Sequence, residues 1–402
     1  MGSIQQMPLV REYFFAMSRH LRTSLVLTLL ALPAAIARAD DAPAPAAPAA
    51  PAAPKGAALE VVATSAGSQW TGMAVSKTGR VFTCFPRWIA PYANAVVEVL
   101  PDGTTKPFPD ATHDAWNPES IGAPGPGDWV CVQSVHCDAK DRLWVLDPAS
   151  PAFAGVVPGG PKLVAFDLAT GETIRAYPFP AEIASGKAYL NDVRVDAERD
   201  VAYLTDSGIG AIVVVHLVSG KARKFLVDDP RTKAEADVKL KVGGKELHFQ
   251  TPEGAEGPTP QVHADGIALD RKGEWLYWQA LTGRTLYRVK TEALRAADAT
   301  DATVAAAVEK VGPSVASDGL EIDDAGNVYL TSIEQDAIVM RKPDGTLVTL
   351  ASDPRLAWPD SLAFGPGGTL YVSCSQIHRT PMVHPNTEMP KTPFALYRLK
   401  RP

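Results

Sequence analysis

The sequence predicts an all-β protein: a six-bladed β-propeller whose ring is closed by an N-terminal strand. Three observations carry this. One hairpin pattern occurs six times, starting at Thr71, Gln133, Asn191, Asp265, Asp318 and Asp360. Within each copy, apolar residues alternate with small or polar ones, the period of two that belongs to strands rather than helices. The repeat returns about every 58 residues on average, room for four short strands and their turns, which is one propeller blade. Composition agrees with a globular chain: of 402 residues, 46% are hydrophobic and 21% charged. A net charge of −6 without a basic cluster argues against nucleic acid as a partner. Four cysteines are too few for a disulfide scaffold.

Taken from the N-terminus, residues 1–39 read as a secretory signal, with Met17 as an alternative start. Arg19 and Arg22 supply the charged segment, Leu25 to Leu32 the apolar core, and Ala37-Arg38-Ala39 the cleavage site. The apolar core is too short to span a bilayer, so no membrane attachment is expected after cleavage. The expected location is periplasmic or secreted. Residues 40–58 form a linker in which 42–54 are only Ala and Pro, a semi-rigid spacer that builds no core. The propeller occupies 59–402 and is expected to be a monomer. Leu59–Ala63 is expected to complete the last blade and so remove an exposed sheet edge.

In each hairpin the second strand carries an aromatic: Phe82, Trp144, Tyr203, Tyr277, Tyr329 or Tyr371. Asp138, Asp196, Asp270 and Asp323 occupy the intervening turns, where an Asp side chain accepts from nearby backbone N–H groups. Val238–Phe249 reads as an added hairpin around Gly243-Gly244. Thr291–Val311 is Ala-rich and reads as a helical insertion in blade four. Phe394–Lys400 is the third strand of the last blade.

The long connections fall at one end of the channel, and the turns at the far end are expected to be short. Long loops on one rim of a rigid scaffold usually carry function. The six repeat-starting residues ring that mouth: Thr71, Gln133, Asn191, Asp265, Asp318 and Asp360, with Asp192 beside Asn191 and Asp147 and Asp206 at strand ends nearby. Crowded carboxylates need a cation, a proton or hydrogen-bond donors to compensate them. A divalent cation such as Ca²⁺ and an amine ligand are two such compensations; backbone N–H groups are the third. Asp192, Asp265 and His263 are the candidate acid–base residues. Thr71, Arg87, Gln133, Asp206, Asp318, Asp360 and Trp358 are candidate ligand contacts, and Arg87 is expected to pair with the acidic ring. Trp88, Tyr92, Trp129 and Trp358 are candidate aromatic walls. Cys84 and Cys374 end the second strands of neighbouring blades, which leaves a bond between them open.

The runs FPRW (85–88), VQSVHCDAKDRLWVLDP (132–148), YLNDVRVDAERDVAYLTDSG (189–208) and WPDSLAF (358–364) resemble the yellow / major royal jelly protein family. That resemblance implies a secreted six-bladed propeller. Members are often named after dopachrome-converting activity, and some bind small biogenic amines at the channel mouth. A more distant similarity is to the gluconolactonase / regucalcin propellers, which hold a divalent cation with a Glu, an Asn and an Asp at blade starts. Asn191 and Asp265 match that Asn and Asp; Thr71 stands in place of the Glu and carries no charge. Three functions therefore compete. One is a lactonase-like hydrolase or dopachrome-type tautomerase acting at the mouth, another a non-catalytic binder of a small cationic or amine ligand, and the third an inert interaction propeller.

Overall fold

The computed structural model describes residues 58–400, apart from 91, 93 and 120–122. Residues 1–39, read as a signal, and the Ala/Pro tract lie outside the described residues. Six four-stranded antiparallel sheets succeed one another along the chain. Their innermost strands are Met73–Val75, Ser134–Cys137, Leu190–Asp196, Ala264–Leu269, Ser317–Ile322 and Pro359–Phe364, and each touches the next, the last touching the first. The six hairpins of the sequence are thus the inner halves of six blades around one channel. The core lies between blades. Trp144, Leu163, Leu190, Val193, Leu204 and Val213, for example, bury the second blade against the third.

The last blade takes three strands from the C-terminal end of the chain and its outermost from the N-terminal side. Glu60–Ser65 pairs antiparallel with Phe394–Leu399, from Glu60 opposite Arg398 to Ser65 opposite Phe394. Arg398 Nε meets Glu60 at 2.8 Å on the same rungs. The ring closes as the sequence predicts.

Two local expectations need correction. Thr291–Val311 is not one helix. Thr291–Arg295 and Asp301–Ala307 are two short helices, and Glu309–Pro313 is already the outer strand of blade four. Pairing with Thr285–Lys290 outweighs the helix propensity of the Ala-rich run at its C-terminal end. This insertion joins the third and fourth strands, so one far-end connection is long. The cysteines are also unpaired: all four are free thiols, and Cys84 Sγ donates to the Gln133 carbonyl at 3.2 Å. The added hairpin is present as Lys241–Val242 paired with Lys245–Glu246.

Candidate functional site: the acidic ring

Blades three to six share a feature that alternation alone does not reveal. Their innermost strands bulge at the repeat start. Asn191 and Asp192 together oppose Thr205; Asp265 and Gly266 oppose Gln279; Asp318 and Gly319 oppose Thr331; Asp360 and Ser361 oppose Ser373. A bulge interrupts the ladder and re-aims a side chain. The opposing hydroxyls accept the freed N–H groups: Thr205 from Asp192 (3.2 Å), Thr331 from Gly319 (2.8 Å), Ser373 from Ser361 (3.1 Å). They then donate across to the next blade. Thr205 reaches the Asp265 carbonyl at 2.6 Å, Thr331 that of Asp360 at 3.2 Å, and Ser373 that of Thr71. The acidic ring is held by blade-to-blade hydroxyl links. The signal was present as the Thr or Ser in YLTD, YLTS and YVSC, and the alternation rule passed over it.

From this framework a directed chain of hydrogen bonds runs across the ring. Trp88 Nε1 donates to Tyr189 Oη at 2.7 Å, and Tyr189 Oη to Gln133 Oε1 at 2.8 Å. Gln133 Nε2 donates to Asn191 Oδ1 at 3.1 Å, and Asn191 Nδ2 to Asp265 Oδ2 at 2.7 Å. The Asp265 and Asp318 carboxyls lie close enough to repel each other, and Trp358 Nε1 donates to Asp318 Oδ2 at 2.7 Å from the other side. Asp360 accepts from Ser361 Oγ at 3.0 Å, and Asp192 from Ser134 Oγ at 2.7 Å. All of the ring carboxylates are buried. Burial first, and mutual repulsion second, hold Asp265, Asp318 and Asp360 well above the usual carboxylate range. Burial likewise raises Asp192, against the pull of Arg194 at 3.9 Å. Donors and retained protons compensate this crowd.

The structure gathers Gln133, Asn191, Asp192, Asp265, Asp318, Asp360 and Trp358, with Thr71 at the blade-one position, where its Oγ1 is used on the Gln133 carbonyl at 2.9 Å. Four of the residues named from the sequence are placed elsewhere. Arg87 does not pair with the ring: Nε and Nη2 donate to the Val130 and Trp116 carbonyls, each at 3.0 Å, and its guanidinium lies 3.7 Å from the centre of the Tyr92 ring. Asp206 is buried against the N–H groups of Tyr189, Gly208 and Ile209 and against Lys224. Asp147 does the same in blade two, accepting from Val130, Cys131 and Ala149 and pairing with Lys162. His263 Nδ1 accepts the Ala234 N–H at 2.9 Å, and its charged neighbours are Lys233 and Asp228. Burial pushes His263 down to about 4, so it is neutral near pH 7. Of the aromatic walls, Trp129 is a core side chain between blades one and two.

Sequence reasoning missed Arg194. It lies one strand alternation beyond Asp192 and reaches from blade three to the Leu320 carbonyl of blade five at 2.7 Å. Below it a cavity of about 170 Å³ opens at the far end of the channel, with His136 and Arg199 among its walls. Trp358 was foreseen but not its backbone: its φ of 52° is left-handed, a strained state for a bulky residue directly before proline. Its ring stacks on His378, centroids 5.9 Å apart.

The residues do not fit a lactonase-type metal site. Thr71 has no charge, Asn191 Oδ1 already accepts from Gln133, and no cluster of three or more His, Cys, Asp or Glu side chains is arranged to hold a metal among the described residues.

Comparison with known proteins places this geometry in context. A family model described as Major royal jelly protein matches residues 130–393. Major royal jelly protein 1 of Apis mellifera is 25% identical over 188 residues, which cover 42% of this chain and 38% of that relative. The matched stretch is thus well under half of the relative's length. A gluconolactonase from Xanthomonas campestris superposes with a TM-score of 0.52 at 14% identity, covering 86% of this chain and 90% of the other. At that identity the likeness shows the fold alone.

Proposed function

The chain belongs to the major royal jelly protein family, and on that premise we propose that the acidic ring is a small-molecule site whose Asp265–Asp318 pair moves a proton on a bound substrate. The observation that carries this is the pair of buried neighbouring carboxyls, flanked by donors from Asn191 and Trp358. Two carboxyls sharing a proton form an acid and a base side by side. In a tautomerisation of the dopachrome kind, the ionised member takes a proton from carbon while the protonated member gives one to oxygen. In a lactone hydrolysis, the pair takes a proton from attacking water and returns one to the leaving alkoxide. Either cycle ends with the proton count it began with. Assays with dopachrome and with an aldonolactone test the proposal. Asp265→Asn and Asp318→Asn should each lower turnover by about 10²-fold or more. Equal turnover by wild type and the double variant would overturn it.

One observation favours a second reading, capture of a cationic amine. Among the described residues no Lys or Arg forms an ion pair with Asp265, Asp318 or Asp360. A cation arriving there would favour the ionised carboxylates and release protons. Calorimetric titration with dopamine, in two buffers of different ionisation heat, checks this; a heat independent of buffer counts against it. Export is part of the proposal, resting on the signal read over 1–39; cytoplasmic retention of the full-length chain on fractionation would defeat it.

A further inference from the structure

Below the ring, one position recurs on all six innermost strands, each time opposite the aromatic of the next strand. In blades one to six it is Ala74, His136, Arg194, Ala268, Glu321 and Ala363, paired with Phe82, Trp144, Tyr203, Tyr277, Tyr329 and Tyr371. Three long polar side chains thus stand among three alanines. The far-end cavity of about 170 Å³ lies where the alanines leave room: Ala74 and Ala363 line it together with His136, Arg194 and Glu321. His136 and Glu321 are half-buried. Neither ring nitrogen of His136 forms a hydrogen bond. Glu321 Oε1 accepts the Ile322 N–H at 3.0 Å, and its Oε2 has no partner. None of these three unpartnered atoms is sealed off by protein. Whatever bonds them comes from the cavity.

We propose that this cavity binds a neutral polyol the size of one sugar ring, held by hydrogen bonds to His136 and Glu321. Hydrogen-bonding chemistry, charge and size each narrow the class. Burial first, and Arg194 second, push His136 down to about 3, so it is neutral near pH 7. A neutral imidazole donates at one nitrogen and accepts at the other, while a carboxylate only accepts. A hydroxyl both donates and accepts, so two hydroxyls on one ligand satisfy both side chains. Net charge of either sign is disfavoured. Glu321 repels an anion, and Arg194, held by the Leu320 carbonyl, repels a cation. Other wall charges are spent on partners: Asp138 on Arg142 at 2.6 Å, Asp196 on Arg199 at 2.8 Å, and Arg271 on Asp324 at 3.3 Å. Phe364 and the two alanines supply an apolar side for the C–H face of the ligand. A space of about 150 Å³ already takes a six-membered ring. The site lies at the other end of the channel from the acidic mouth and does not depend on it.

Calorimetric titration of the full chain with D-xylose, cyclohexanol, glycine and sodium acetate tests this. Xylose should bind saturably, and the other three at least tenfold more weakly. His136→Leu and Glu321→Leu should each weaken xylose binding about tenfold, the worth of one hydrogen bond to a polar or charged group. Ala363→Leu fills the cavity without touching a polar group and should abolish binding. Asp265→Asn should leave it unchanged, which separates this cavity from the ring. Absence of xylose heat would overturn the proposal. So would glycine or acetate binding as tightly as xylose, which would assign the cavity to a charged ligand, or cyclohexanol doing so, which would assign it to an apolar one. Wild-type affinity in the His136 and Glu321 variants would overturn it too. Glu321→Gln keeps the shape of the side chain, and it decides by the same criterion if a leucine variant does not fold.

Discussion

Burial makes Asp265 a group whose proton count changes on unfolding. Its folded pKa lies well above its unfolded value of about 4, so between those values the folded state holds more protons than the unfolded chain. Its contribution to stability therefore falls as pH rises through that window. Asp265→Asn removes the penalty and keeps the shape. The variant should gain on wild type from about pH 4 upward, by about 1 kcal/mol or more at neutral pH, in denaturation curves at stepped pH. A variant less stable than wild type at pH 7 would mean that the carboxylate is held ionised. Arg87 makes the opposite case. Lysine cannot reproduce a fork on two carbonyls with a ring beneath it, so Arg87→Lys should cost about 1–3 kcal/mol while ligand affinity at the ring stays put. The sequence could show that Arg87 neighbours the mouth; it could not show that two carbonyls from the next loop consume its donors. A formal charge at a mouth says nothing of its partners until the loops are placed.

At the scale of the element, the hairpins, their turns and the closing strand were legible because alternation and Gly/Asp turn chemistry are local. The bulges were not. Inserting one residue leaves the composition of the strand unchanged, and only the pairing partner across the sheet reveals it. Gly266 and Gly319 mark the site in hindsight. Each follows a ring carboxylate, and a Cβ on either would run into the backbone carbonyl of the neighbouring blade, Asp318 for one and Asp360 for the other. Backbone cannot yield as a side-chain tip can. Gly319→Ala should therefore destabilise by about 2–4 kcal/mol, whereas Gly171→Ala, in an open turn, meets no neighbour and costs only its left-handed φ of 78°. Melting curves of the two variants check this; a Gly319→Ala loss no larger than that of Gly171→Ala would show that the contact with the Asp360 carbonyl yields.

For the molecule as a whole, the ring is only as strong as its seam. Truncation to residue 55 should leave the melting temperature nearly unchanged, while truncation through Ser65 should lower it by about 5 °C or more, because Phe394–Leu399 loses its outer partner. Equal melting temperatures would show that the seam contributes nothing. The same strand pairing has a consequence in time. Glu60–Ser65 leaves the ribosome some three hundred residues before its partner strand. At about 5–20 residues per second, tens of seconds separate them. Throughout that interval five blades can assemble in order, but the sixth waits with bare N–H and C=O groups along its edge. A chain interrupted before Phe394 never loses that edge, so such a product advertises its own defect to chaperones and proteases, and falls silent only when the two seam strands meet.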